Sequence, residues 1–341
     1  MKPAILLFIL FMGTHTYAQT SPSPYKIRSL TTAPINSIRG LSVVTDSIVW
    51  VSGTQGKAGR STDAGNSWEW YDIPGCDTVD FRDIEAFNSE RAVIVSSGEP
   101  ARIFLTVDGG KNWKQTYYND TKGIFLDAMD FWNEREGVII GDPINDLFTI
   151  LRTSNGGETW EPMTGPKASA GEACFAASGT TLRVLKGKDF AFASGGTVSR
   201  FFRFNGNSWH ITAWPATQGL STTGIFSFAF RDGSNGVAVG GDYKDVMQEN
   251  RNCLITKDGG RTWTAPVLAP RGYRTGVEYL DSKRLIVTGP FGTELSGDGG
   301  STWFPLGNDP QGYHVIRKAK NGSRVYMAGG KGRIAVLDIK K

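Results

Sequence analysis

The chain has 341 residues, with 37 Lys and Arg against 33 Asp and Glu, for a net charge of +4 at pH 7. So small and scattered an excess argues against a nucleic-acid partner. The three cysteines, Cys76, Cys174 and Cys253, allow at most one internal disulfide, which excludes a disulfide-stapled scaffold and leaves the core to hold itself together.

In chain order, the first feature is Lys2 followed by an apolar run at 4–12 and small residues up to Ala18. This reads as a secretory signal peptide over 1–18, cleaved before Gln19. The apolar run is about half of the roughly twenty residues that a membrane span needs, and no cysteine sits at the cleavage point to carry a lipid. The mature chain, 19–341, is therefore expected to be exported to the periplasm or outside the cell, and not to span a membrane. The next segment, "YKIRSL" at 25–30, alternates like a strand.

From there the chain repeats itself. "STDAGNSW", "TVDGGKNW", "TSNGGETW", "TKDGGRTW" and "SGDGGSTW" end at Trp68, Trp113, Trp160, Trp263 and Trp303, and a worn copy, "FNGNSW", ends at Trp209. Successive tryptophans are 45, 47, 49, 54 and 40 residues apart, a period that belongs to solenoids and propellers. Upstream of the boxes runs a second ruler, a β-rich stretch closing on glycine at Gly53, Gly98, Gly141, Gly195, Gly240, Gly289 and Gly329. Seven units follow. In the second, "DFRDIEAF", "RAVIVSS", "ARIFLT" and "WKQTYY" read as strands A to D, and four antiparallel strands per 45 residues describe a propeller blade. The seventh unit has strands A, B and C only, so the 25–30 strand is predicted to supply its fourth and close the ring, which covers otherwise open strand edges. The fold expected is all-β: a single seven-bladed β-propeller over 19–341, built of four-stranded antiparallel blades.

The box itself, [ST]xDxGxxW, suits the turn between strands C and D. Its acid (Asp63, Asp108, Asp258, Asp298, or Asn155) accepts backbone N–H groups in its own turn. The glycine two places on takes positive φ without steric penalty, and the tryptophan starts the return strand with its ring buried. These residues resemble the Asp-box (BNR) repeats of sialidases, sortilin-type receptors, two-propeller endoglucanases and the Ycf48/HCF136-like photosystem II assembly factors. The resemblance covers residue 35 onward and implies that the boxes are structural turns at the blade periphery, away from any active site. Short blades, seven in number and without large insertions, are most similar to the Ycf48-like family, which implies protein binding or assembly without turnover.

Antiparallel topology puts the strand A starts and the B–C loops on the face opposite the boxes. Arg39, Arg82 and Arg274 take one equivalent position there, with His314 on another blade and Asp83 and Asp127 one residue on. Two longer B–C loops add Asp142 and Asp146, then Asp242, Tyr243 and Asp245. If the inner strands converge on a channel, three guanidiniums gather near its mouth, where they grip a carboxylate or phosphate, or else pair with Asp83, Asp127 or Glu172 and line a wet channel. The expected ligand is an acidic protein partner, or an anionic or carbohydrate ligand, held by Arg39, Arg82, Asp83, Asp127, Asp142, Asp242, Arg274 and His314, with no cofactor.

The alternative is a glycoside hydrolase. A sialidase-like site would use the three arginines with Tyr273 or Tyr313 as nucleophile, but the family's Arg-Ile-Pro stretch is missing and seven units stand where six are usual. Other glycosidases need two carboxyls at a set separation, for which Asp83, Asp127, Glu172 and Glu278 are available. "GGKGRIA" spells GxGxxA at Gly330, Gly332 and Ala335, yet β-type residues follow instead of a helix. Beyond the leader only His210 and His314 remain, too few for a multi-histidine zinc site, and no DxDxDG spacing marks a calcium loop.

Overall fold

The computed structural model describes residues 25–307 and 311–339, so the leader expected at 1–18 lies outside the described residues. Seven sheets of antiparallel strands form a ring, and the described residues contain no helix. Blade two shows the pattern: Asp80–Ala86 lines the axis, Ala92–Ser97 and Ala101–Thr106 follow outward, and Lys114–Asn119 is outermost. The sequence places these strands to within one residue. Blade five is the thinnest, its fourth strand reduced to a bridge between Ile255 and Thr264. Closure is as expected: Tyr25–Thr32 pairs antiparallel with Arg333–Ile339 and becomes the outer strand of blade seven.

Apolar residues alternate inward from both sheet faces, so the core is a chain of clusters between neighbouring blades instead of one central mass. Val93, Val95, Ile103, Met129, Ile139, Leu151 and Trp160, for example, fill the gap between blades two and three. The three cysteines are buried and free.

The boxes explain how neighbours are fastened. In each of the five, the leading hydroxyl (Ser61, Thr106, Thr153, Thr256, Ser296) donates to the box acid or amide at 2.8–3.0 Å and accepts the N–H of the box glycine at 2.8–2.9 Å. The acid also takes the N–H four residues on, as Asp108 does from Asn112 at 2.9 Å. The glycines have φ between 83° and 93°, and each is pressed against the preceding blade: Gly110 against Tyr71, Gly157 against Val93, Gly260 against Phe201, Gly300 against Val237, and Gly65 against Leu30 of the closing strand. Two details differ from expectation. The tryptophan precedes the return strand instead of starting it. Its ring is fully buried at Trp303 but only half-buried at Trp113, because Trp113 packs at the edge of its cluster, beside Trp50.

Blade four departs most. Its inner strand is split into Glu172–Ala173 and Leu182–Val184, and the intervening chain crosses the ring's axis. Along that crossing Arg39 of blade one donates to Ala177 O at 3.1 Å, Arg317 of blade seven donates to Ser178 O at 2.9 Å, and Ser178 Oγ donates to Thr275 O of blade six at 2.8 Å. Thr180 Oγ1 reaches Ser227 Oγ of blade five at 2.7 Å, and Gly179 lies against the Asp83 carboxyl of blade two. A run of small residues, Ala176-Ala177-Ser178-Gly179, lets the backbone pass between the inner strands. The open channel read from the sequence is therefore plugged at mid-height, with a cavity above and another below.

Candidate functional site

The upper cavity is built by a repeated irregularity. Inner-strand pairing passes from Ile38 to Gly40, from Phe81 to Asp83, from Leu126 to Ala128 and from Ile225 to Ser227, leaving Arg39, Arg82, Asp127 and Phe226 out of the ladder. Such a bulge residue turns its side chain away from regular alternation. The glycine ruler belongs to the same device in blades one, three and five: a Cβ on Gly53, Gly141 or Gly240 would fall 2.1, 2.1 and 1.9 Å from the carbonyl oxygens of Ser37, Phe125 and Gly224. No side chain fits where the bulged strand comes so close.

The bulges thus deliver two guanidiniums, a carboxylate and a phenyl ring to one cup of about 880 Å³. The blade-four crossing forms its floor. One side is aromatic, with Phe175 stacked on Phe226 at 3.9 Å, Tyr273 edge-on to Phe226 at 4.7 Å, and Tyr243 edge-on to Phe175 and Phe226. The other side is charged. Arg82 is held by Asp80 at 2.8 Å and lies over the Phe125 ring; Asp142 accepts the Cys174 N–H at 2.9 Å; His314 Nδ1 lies 3.3 Å from Ser37 Oγ. The "GGKGRIA" stretch is a hairpin turn with Lys331 at φ 57°, and it hangs Lys331 on the rim.

Burial sets the electrostatics. Asp142 is pushed up to about 6 by burial, with the Cys174 amide opposing. Asp127 stands well above the usual carboxyl range through burial and the neighbouring Asp142 charge, against Arg82. Burial and Arg39 hold His314 down at about 4, so it is neutral at pH 7. Arg39 is lowered by burial and by Arg82, the mark of two cations facing one space.

Five of the eight residues expected at the site line the cup: Arg39, Arg82, Asp127, Asp142 and His314. Three do not. Arg274 is fully buried, donating from Nη2 to Glu294 at 2.5 Å and from Nη1 to Gly292 O at 2.7 Å. Gly276 pairs with Thr288 as Gly40 pairs with Ser52, so Thr275, which lines the cup, takes the place of Arg39, while Arg274 falls one residue earlier, at the buried position of Ile38, and folds back onto its own blade. Asp83 sits under the crossing, accepting the Ile84 and Met129 N–H groups at 2.9 and 2.8 Å, and burial lifts it to about 7. Asp242 is buried at the root of the blade-five loop; burial opposes its ionisation, but the Lys244 amide at 2.8 Å helps to bring it below the ordinary range.

The acids considered for hydrolysis are dispersed as well. Glu172 is bound by Arg200 at 2.5 Å and by Ser194, Glu278 pairs with Arg183 at 3.2 Å at the far end of the channel, and only Asp127 of the four reaches the cup. Tyr273 is buried in the aromatic side, and burial raises its hydroxyl further from ionisation. The sequence reading missed Phe175 and Phe226 as site residues, although "GIFSF" puts Phe226 in register with the other bulges.

The ring is one that has been seen before. A structure of YCF48 bound to D1 peptide superposes with a TM-score of 0.67 at 15% identity, covering 93% of this chain and 97% of that one. YCF48 from Cyanidioschyzon merolae gives 0.67 at 16% identity, covering 94% and 100%. The likeness is one of fold. No family model matches the chain, and no curated protein does.

Proposed function

We propose that this protein is an exported, non-enzymatic binding or assembly propeller of the Asp-box type, and that it captures an acidic peptide segment of a protein partner in the upper cup. The observation that carries the reading is the cup's construction: four in-register bulges aim Arg39, Arg82, Asp127 and Phe226 into one blind cavity. A blind cup with an aromatic side and a guanidinium side suits a segment that has an apolar residue next to a carboxylate. That a propeller of this fold has been solved with a peptide supports a peptide as the ligand class. Binding is favoured over hydrolysis because the candidate acids are scattered and Arg274 is committed to Glu294.

The test is selection of a random dodecapeptide library on the immobilised protein. Enriched sequences that carry an acidic residue or depend on their C-terminal carboxylate are expected, with enrichment lost in an Arg39→Ala/Arg82→Ala variant that still unfolds in a single cooperative transition. Absence of enrichment, or equal enrichment on the variant, would overturn the reading. Turnover of fluorogenic sialosides or glucosides would restore the hydrolase.

A further inference from the structure

The arginines account for one side of the cup's charge, and the acids opposite them are left over. Asp127 is 1% exposed, lines the cup, and has an Oδ2 with no hydrogen-bond partner. A buried acceptor left without a donor is costly and rare, and in a binding cavity it marks where a ligand donor goes. Asp142 stands beside it with one oxygen on the Cys174 N–H. Among the described residues neither carboxyl is in an ion pair, whereas Asp80, outside the cavity lining, holds Arg82 through Oδ2.

We propose that Asp127 and Asp142 form a second subsite, which takes the cationic nitrogen of a basic side chain on the same peptide whose carboxylate meets Arg39 and Arg82. The proposal rests on the peptide reading above and adds the chemistry of the second anchor. A cation fits better than a neutral donor because two adjacent buried carboxyls repel when ionised, and a positive charge between them removes that repulsion while filling the empty acceptor. Phe175, on the same floor, offers a face for the aliphatic stem or the charged head. The ligand is then dipolar: a basic and an acidic group at a fixed spacing, with an apolar residue between them or beside them.

The groups facing the pair are Arg82 from blade two, Cys174 from the crossing, and Arg39 and His314 across the cup. None of them changes charge between pH 5 and 7.5 in the direction that would mimic loss of the carboxylates, so acid should weaken the subsite through the pair itself.

The experiment uses the dodecapeptides selected above. Lys or Arg is expected at a constant distance from the acidic residue or C-terminus. Acetylating that lysine should weaken binding to the wild-type protein by about tenfold or more, the worth of one charge-assisted contact. The Asp127→Asn/Asp142→Asn variant should bind the free and acetylated peptides equally. Lowering the pH from 7.5 to 5 should weaken the free peptide more than the acetylated one. Selected peptides that need Arg39 and Arg82 but show no basic residue, or whose acetylation changes nothing, overturn the second subsite and leave peptide binding intact. If no peptide is selected at all, both fall. The acetylation arm leaves the protein untouched, so it decides the matter even if the double variant folds poorly.

Discussion

The two ends of the channel carry similar charge and use it differently. Below the crossing, a cavity of about 380 Å³ is lined by Glu85, Asp130, Arg183, Glu278, Arg317 and Lys320. There Arg183 meets Glu278 and Phe228 O, Lys320 meets Glu85 and Ala86 O, Arg317 is tied to Ser178 O, and Asp130 accepts the amides of Phe131 and Val184. Above it, Asp127 keeps an empty acceptor, and Arg39, in no ion pair among the described residues, donates to Ala177 O and faces the Arg82 charge. The lower set is scaffolding, and the upper set is recognition in the reading proposed above. Charge content is alike at both ends; incomplete pairing is what distinguishes the upper one.

Arg274 and Arg82, aligned in the sequence but one residue apart in register, make the same contrast, and Arg274→Ala should show the largest effect. Removing it leaves Glu294 buried with only the half-exposed Arg271, a loss of about 3–5 kcal/mol in urea or thermal unfolding. A variant as stable as the wild type would mean that Arg274 is not scaffold. Trp303→Ala should cost a similar amount, about 3–5 kcal/mol, for a fully buried ring. Trp113→Ala should cost clearly less, and equal losses would contradict the packing described for the boxes.

The pH dependence of stability comes next. Asp83 is raised to about 7 and Asp142 to about 6 by burial, and Asp127 is raised well above its ordinary value. Between pH 4 and those values the folded protein binds more protons than the unfolded chain. Their contribution is therefore full below about pH 4 and is lost as pH rises through the folded values, on the order of 4 kcal/mol for Asp83 alone. His314, lowered to about 4, acts in the opposite sense, destabilising as pH falls below its ordinary value. Three carboxyls outweigh one imidazole, so the urea midpoint should fall between pH 5 and pH 7.5. A midpoint that rises over that interval would contradict the burial assigned to them.

Arg82→Ala should have the smallest effect on stability. Its pair with Asp80 is part-exposed, so the loss should stay within about 1 kcal/mol while peptide capture is abolished. A large loss of stability would place Arg82 with Arg274.

Most of the architecture was legible in the sequence because it repeats: the box turn and the glycine ruler are local chemistry written again in successive blades, and the alternation at 25–30 announced the closing strand. The site was legible only in part. The letters align Arg274 with Arg39 and Arg82, but the pairing puts Thr275 at that place and Arg274 one residue earlier, with the buried Ile38 and Phe81; register is set by strand pairing, which one strand's letters do not contain. The crossing escaped for a related reason. "EACFAASGTTLRV" scans as one inner strand, and only its run of small residues hints that the backbone leaves the sheet to pass between six other blades. Phe175 was hidden with it.

The most direct test is a crystal structure of the protein with a selected dodecapeptide. The peptide is expected in the upper cup, its carboxylate on Arg39 and Arg82 and its chain resting on the blade-four crossing. A peptide bound at the lower cavity, along a blade edge or against the box turns would contradict that placement.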